Sequence, residues 1–387
     1  MVKESTMGSG DSKQLQEDAK VVVVGGGSAG ITIAIDLLHT GKVKLIDPKD
    51  SLFYNIGSLR SCVEPSYANH IFIPYKETFG DSFIRGKVVK INKDSNTVTI
   101  DDGQEISYTH LILATGGAGA FPAKSMPEYP KMSKEEGLQL YRDINKEILE
   151  ADTVVCVGGG AVGVELSGEI KTDFPDKKVI LIHSNNTLCS KRLNSSAQSK
   201  LQALIKRKGI EMILEERVSN LDDLHINKCV KDQVLKTENG KEMKVDLVFK
   251  CNGSKLSTDL FKEALGDAIS DKGQIKVDEF FKVEGMENIY AAGDITNIEE
   301  EKMLITAEAH GYLLVKNLFA ETQGWKKTPY KPGKFMMIVP VGRDAGVGQL
   351  AGIVVGDLIS KTLKSQDLFV SKHWDHMKQK RPAITKK

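Results

Sequence analysis

The stretch Val21–Gly30, VVVVGGGSAG, limits what this chain can fold into more than any other. Four consecutive β-branched residues suit a short strand buried on both faces. Gly25, Gly27 and Gly30 then follow at the spacing G-x-G-x-x-G, and ITIAIDLLHT from Ile31 has the apolar spacing of a helix. In a strand–turn–helix setting the first glycine allows a tight turn and the second lets a pyrophosphate approach the backbone. The third lets the helix pack closely on the strand. The helix N-terminus adds unpaired N–H groups and partial positive charge, and Gly26 belongs to the same loop. A second strand, with Val43, Leu45 and Ile46, ends in Asp47, 22 residues beyond Gly25. Its carboxylate is placed to accept hydrogen bonds from a ribose diol.

The pattern occurs twice. TVVCVGGGAVG, Thr153–Gly163, carries Gly158, Gly160 and Gly163 at the same spacing, 133 residues after the first copy. Glu165 and Glu169 follow on the helix that this predicts. The strand after it, Val179–Ile182, ends in His183-Ser184 instead of an acid. An acid there favours NADH through its ribose diol, and an arginine favours the phosphate of NADPH. His183 does neither cleanly, and Lys191 and Arg192 lie near enough in sequence to reach a 2′-phosphate. NADH or NADPH therefore both stay open, with NADH favoured.

Three further segments belong to these units. HLILATG, His110–Gly116, reads as a buried strand ending in Ala114, Thr115 and Gly116, small residues that let backbone pass close to a bound cofactor. DLVFKCNG, ending in Gly253, is its counterpart in the second unit, and ENIYAAGD ends a late strand in Gly293-Asp294. Between Gly86 and Tyr108 the alternation predicts a small antiparallel meander. Val88 lies on its first strand, where a backbone N–H and C=O could pair with adenine. Lys49 and Arg60 are cations arriving soon after the acidic strand end, in reach of a pyrophosphate or flavin.

The chain has 387 residues, too many for one typical core, with a net charge of +1 that gives no pull toward nucleic acid. No apolar run is long enough for a transmembrane helix, and no signal-peptide core is present. The five cysteines, Cys62, Cys156, Cys189, Cys229 and Cys251, form no C-x-x-C pair, which argues for a reducing compartment and offers no thiol pair to a flavin. Residues 1–19 are polar and expected to be mobile. Within them Met7-Gly8-Ser9-Gly10-Asp11-Ser12 matches the myristoylation pattern if translation starts at Met7. From Tyr330 a third piece is expected, with strands Phe335–Pro340 and Gly348–Val355 and amphipathic helices Asp357–Leu363 and Leu368–Met377. Its last stretch, Lys361–Lys387, holds eight Lys/Arg against Asp367 and Asp375. Phe369, Val370 and Trp374 beside these lysines suit a membrane surface or quinone access, a dimer contact, or simple packing against the flavin domain.

These residues together resemble the apoptosis-inducing-factor-like, type II NADH dehydrogenase-like flavoproteins, and within them the ferroptosis-suppressor branch. The likeness runs from about Ala19 to Met377 and includes GEIKTDFPDKKVILIHS, ERVSNLDDL, YKPG, GRDAGVGQ and SQDLFVSKHW. The resemblance implies an α/β fold with two Rossmann-like dinucleotide-binding domains and a small α+β C-terminal domain. Residues 1–19 would be a flexible segment. Residues 20–124 and 258–329 would form a discontinuous FAD domain, residues 125–257 an inserted NAD(P)H domain, and residues 330–387 the C-terminal domain. It implies FAD on Gly25, Gly27, Gly30, Asp47, Arg60, Val88 and Asp294, and NAD(P)H over Gly158, Gly160 and Gly163 with Glu165 near the nicotinamide. The acylated residue would be Gly8, on a protein peripheral to membranes (plasma membrane, lipid droplets, mitochondrial outer surface) and facing the cytoplasm.

The activity so implied is an NAD(P)H:quinone oxidoreductase acting on ubiquinone, vitamin K or another lipid quinone. Its quinol would trap lipid radicals and oppose lipid peroxidation. The expected catalysis is placement of two rings in contact, with no metal and no side-chain nucleophile. Glu165 is expected to orient the nicotinamide, and His310 and Glu308 are candidates for the quinone side or proton delivery. Rival readings are a reductase of a protein carrier and a redox-sensing protein that binds more than it turns over.

Overall fold

The computed structural model describes residues 14–124, 131–253 and 255–383, so the Met7-Gly8 motif lies outside the described residues. The described residues form two compact units. Those up to Asp47, Asp81–Gly116 and Thr258–Pro332 make the first; Pro48–Gly80, Gly117–Ser257 and those from Gly333 onward make the second.

The first unit is built on a five-stranded parallel sheet in the order Ile289–Ala291, His110–Leu113, Val21–Val24, Val43–Asp47, Phe83–Arg85. The four valines occupy its central strand and none is more than 4% exposed, as expected of a parallel strand covered on both faces. Val22 and Val24 pack with Val88, Ile91, Val98 and Ile100 of the predicted meander and with Phe261 and Leu265. That meander runs through Val88–Asn92, Thr97–Ile100 and Glu105–Ser107. The helices Ser28–Leu38 and Leu304–Thr322 pack on each other. Gly311 makes that crossing close, since a Cβ there would stand 3.0 Å from Thr32. Gln274–Val277, which reads as a strand, makes only isolated bridges to Ile269, Val283 and Thr296.

The second unit contains a four-stranded parallel sheet ordered Glu211–Leu214, Lys178–His183, Thr153–Val157, Leu247–Lys250. Its helix Lys134–Glu150 starts on a capping box, with the Ser133 hydroxyl accepting from Glu136 N–H and the Glu136 carboxylate accepting from Ser133 N–H. The C-terminal residues form an antiparallel sheet of Met336–Pro340, Gly346–Leu350 and Ile353–Val355. Here the single strand expected from Gly348 to Val355 is broken, because Ala351 and Gly352 turn with φ of 50° and 95°. The helices expected beyond it are shorter. Asp357–Ser360 runs into a π-helical turn over Lys361–Ser365, and the last helix covers only Val370–His376. Leu368 and Phe369 hold φ of 52° and 58°, which no helix interior allows.

Arg60 anchors this unit from inside. It is 2% exposed on the helix Ser58–Val63, and its Nη2 stands 2.8 Å from the equally buried Glu169 of Ala161–Asp173. Its Nη1 and Nη2 also donate to the carbonyls of Gln366 and Ser365 at 2.9 and 2.6 Å, and the guanidinium lies over Tyr67. Arg60, expected within reach of a pyrophosphate or flavin, thus has its guanidinium committed within the second unit. Removing one member of a buried pair leaves the other charge uncompensated. Arg60→Met is expected to lower stability by about 3–5 kcal/mol in chemical denaturation. Arg60→Met with Glu169→Leu should recover much of that; equal losses in both variants would show that the carboxylate is not what suffers.

Candidate functional site

The first glycine loop closes by contacts too tight for any side chain. Gly25 has φ of +103°, and a Cβ on it would lie 2.6 Å from the Ala114 carbonyl oxygen. A Cβ on Gly30 would lie 1.8 Å from the Gly25 carbonyl oxygen. Gly27 is different: nothing stands within 4 Å of its Cβ position, and it caps Ser28–Leu38 with no side-chain hydrogen bond. The helix thus opens onto space with its first N–H groups unfilled by any cap, a cradle suited to phosphate oxygens. Asp47, 3% exposed, accepts the Gly26 N–H at 2.7 Å through Oδ2, so the acid also braces the loop. Gly293 starts a 3₁₀ turn that presents Asp294, and its Cβ position lies 3.3 Å from the Ala29 side chain. Residues near 25, 47, 115 and 294 therefore converge, although up to 270 positions separate them. Val88 joins them less directly. It lies on the edge strand of the meander, opposite Ile100, with its side chain in the core.

The second loop repeats the geometry. Gly158 has φ of +120° and would meet the Cys251 carbonyl oxygen at 3.0 Å; Gly163 would meet the Gly158 oxygen at 1.9 Å. Gly160 is open and caps Ala161–Asp173 without a side chain. Gly253 turns with φ of +82° beyond the strand Leu247–Lys250. His183 lies over the loop, its Cγ 2.6 Å from where a Gly159 Cβ would be. That makes Gly159 as necessary as Gly158. The signal was in the sequence, as three consecutive glycines followed by a strand ending in a large ring. Burial holds the His183 imidazole below its ordinary pKa, so a neutral ring covers this loop at pH 7. Arg192 stacks on Phe335, with its guanidinium carbon 4.9 Å from the ring centroid.

Below that loop Glu165 meets a partner that sequence reasoning missed. Its Oε1 lies 2.9 Å from Lys364 Nζ, which also donates to the Ile338 carbonyl at 3.0 Å. Burial pushes the Glu165 carboxyl up, and the lysine works against it. Lys364 had read only as one basic residue beside the amphipathic helices; no local pattern links it to a glutamate 199 positions earlier. Cys156 and Cys251 also come together, and the neighbouring Cys251 thiol with burial pushes Cys156 well above its ordinary pKa. The spacing of the cysteines concealed that neighbourhood, which lies beside the Gly158 turn.

His310 and Glu308 sit on Leu304–Thr322 in the first unit, 1% and 5% exposed. His310 is not an open proton donor. Its Nδ1 accepts the Gly293 N–H at 3.0 Å, and its Nε2 is 2.7 Å from Glu300 Oε1. Lys49, like Arg60, belongs to the second unit. Lys302, another residue missed, donates to the Thr296 and Ile298 carbonyls at 2.9 Å each, and burial lowers its pKa. In Lys364→Met the Glu165 carboxyl should titrate at a higher pH than in the parent, read from its carboxyl carbon chemical shift. Identical titrations would mean that the lysine does not govern that charge.

A family model for pyridine nucleotide-disulphide oxidoreductases matches residues 19–311. Ferroptosis suppressor protein 1 of Taeniopygia guttata is 41% identical over 377 residues, covering 97% of this chain and 100% of that protein. The Homo sapiens protein of the same name is 37% identical, over 94% and 96% of the two chains. Apoptosis-inducing factor homolog A of Dictyostelium discoideum is 31% identical, over 95% and 93%. Among solved structures, the ferredoxin reductase for the CYP199A2 system of Rhodopseudomonas palustris matches with a TM-score of 0.68 at 16% identity, covering 86% of this chain and 82% of that one. The NAD-dependent persulfide reductase of A. fulgidus matches with a TM-score of 0.65 at 20% identity, over 86% of this chain and 64% of that longer one. Two parallel sheets, each opening through a glycine loop onto a helix N-terminus, are the architecture of these reductases. The chain belongs to the ferroptosis suppressor protein family, FAD- and NAD(P)H-dependent oxidoreductases among the pyridine nucleotide-disulphide oxidoreductases.

Proposed function

We propose that this flavoprotein is an NAD(P)H:quinone oxidoreductase whose acceptor is a lipid quinone such as ubiquinone, and whose quinol product traps lipid radicals. The observation that carries the reading is the pair of open helix N-termini at Gly27 and Gly160, joined to a full-length likeness to ferroptosis suppressor proteins. FAD belongs on the first loop, where Asp47, Ala114, Thr115, Gly116 and Asp294 gather. The nicotinamide nucleotide belongs on the second, over Gly158, Gly160, Gly163 and Gly253 with His183 at its rim. Bound FAD supplies hydride acceptance from NAD(P)H and two-electron delivery to a quinone.

The chain's own residues bind and orient. Gly27 and Gly160 expose helix N–H groups to phosphate oxygens. Glu165, kept close to Lys364, holds a buried ion pair within reach of the second loop and orients the nicotinamide. His183, neither acid nor arginine, leaves NADH and NADPH separated by little, with NADH favoured. An anaerobic titration with NADH should bleach the flavin absorbance, and added ubiquinone analogue should restore it. Glu165→Ala should cut the bleaching rate about tenfold or more while flavin stays bound. A protein that bleaches but is not reoxidised by quinones would sink the reading.

Among the described residues no helix is long and apolar enough to cross a membrane. Val370 and Trp374, expected at a surface, are buried at 0% and 3%; peripheral attachment is supported instead by Ile353, Leu358, Ile359 and Leu363, which are 71%, 78%, 45% and 45% exposed near Lys361. Acylation at Gly8 would add a second anchor, the combination that stable attachment needs. The same apolar residues would serve a homodimer contact. Leu358→Asp with Ile359→Asp should lower co-sedimentation with anionic vesicles about tenfold. Unaltered co-sedimentation would remove this face from membrane binding.

A further inference from the structure

We propose that His310 is a positioning residue: it fixes the Gly293–Asp294 turn, and through it the hold on FAD, only while its imidazole is neutral. The inference rests on the assignment of FAD to the first unit.

The geometry defines the ring's state. Nδ1 accepts the Gly293 N–H at 3.0 Å, so the ring proton is on Nε2 and is donated to Glu300 Oε1 at 2.7 Å. The second oxygen of Glu300 accepts the Tyr330 hydroxyl at 2.9 Å. The ring is held between Phe281 and Tyr330, at centroid distances of 4.8 and 4.6 Å. Gly293 has no freedom to retreat. Its backbone is left-handed at φ +80°, and its Cβ position is bounded by Ala29 at 3.3 Å and Ala307 at 3.7 Å. The turn that presents Asp294 thus has the first loop's helix on one side and His310 on the other.

Protonation would replace the acceptor with a donor. An imidazolium Nδ1–H would face the Gly293 N–H, two donors with nothing between them, and the turn would have to move. The charged and titratable groups around the ring are Glu300 and Lys302 on the preceding loop, Asp294 on the turn and Tyr330 after the helix. Burial is the largest influence and lowers the His310 pKa; Lys302 acts the same way, while Glu300 and Asp294 oppose. For a histidine shifted down, the neutral folded form is fully favoured above the ordinary value near 6.5, and that advantage is lost as pH falls through the folded value.

The test follows flavin fluorescence during dilution of the holoprotein from pH 7.5 to 5, which reads FAD release and not turnover. In the parent, the FAD dissociation constant should rise about tenfold across a single protonation. His310→Asn keeps an acceptor near the Nδ1 position and cannot be protonated, so its FAD affinity should be independent of pH. Tyr330→Phe takes a hydrogen bond from Glu300, leaves the His310 ring as that carboxylate's remaining partner, and should move the release midpoint to higher pH. Because the Tyr330 hydroxyl bonds Glu300, a His310 that only fills space would leave that midpoint unmoved. Parent-like pH profiles in both variants would overturn the inference while leaving FAD in the first unit. A parent that holds no FAD at pH 7.5 would overturn both.

Discussion

The collision that a Cβ would make at Gly30 with the Gly25 carbonyl oxygen, at 1.8 Å, is the constraint on which the first unit depends. With no side chain there, the helix Ser28–Leu38 can start with only three residues between it and the strand Val21–Val24. Everything that converges on the loop is placed by that start: Ala114 beneath Gly25, Asp47 on the Gly26 N–H, and Gly293 against Ala29. Gly163 and Gly158 repeat the contact at 1.9 Å in the second unit. Two unlike sequences, GGGSAGI and GGGAVGV, arrive at one backbone path because the same two atoms set the limit in both.

The second unit is organised around charge as much as around glycine. Glu165 and Glu169 lie one helical turn apart on Ala161–Asp173, and each meets a cation brought from elsewhere in the chain. Arg60 is extracted from water and satisfied by a carboxylate and two backbone carbonyls, a geometry suited to a planar guanidinium. Lys364 is a point charge shared between a carboxylate and one carbonyl. The arginine pair is built as structure. The lysine pair leaves a carboxylate that Lys364 holds charged against its burial, which is why Glu165 and not Glu169 is the functional candidate.

Much of this was legible in the residues. Paired glycine motifs, the Ala114–Gly116 and Gly293-Asp294 strand ends and the meander all show in residue patterns a few positions long. They also depend on backbone conformations that glycine alone tolerates. The family resemblance then identified which cofactors such loops hold. What stayed hidden depends on long-range pairing. Arg60 reads as a cation for a pyrophosphate or flavin because Glu169 is 109 positions away, and Lys364 reads as one of a basic run. His310 reads as a ligand-facing histidine because Glu300 and the Gly293 N–H that occupy its nitrogens are set by the loop between them. The short C-terminal helices were overestimated because periodicity continues through Leu368 and Phe369 while their backbones do not.

Gly27 and Gly160 differ from the other glycines of their loops in having nothing near their Cβ positions. At Gly25, Gly30, Gly158 and Gly163 a substitution collides with the chain itself, so any lost activity there reports a damaged fold. At Gly27 and Gly160 an alanine methyl would stand in vacant space and leave the loop intact. These two positions therefore let genetics separate nucleotide contact from loop closure, one cofactor at a time. A designer wishing to silence one half of the electron path, and keep the other folded, would begin there.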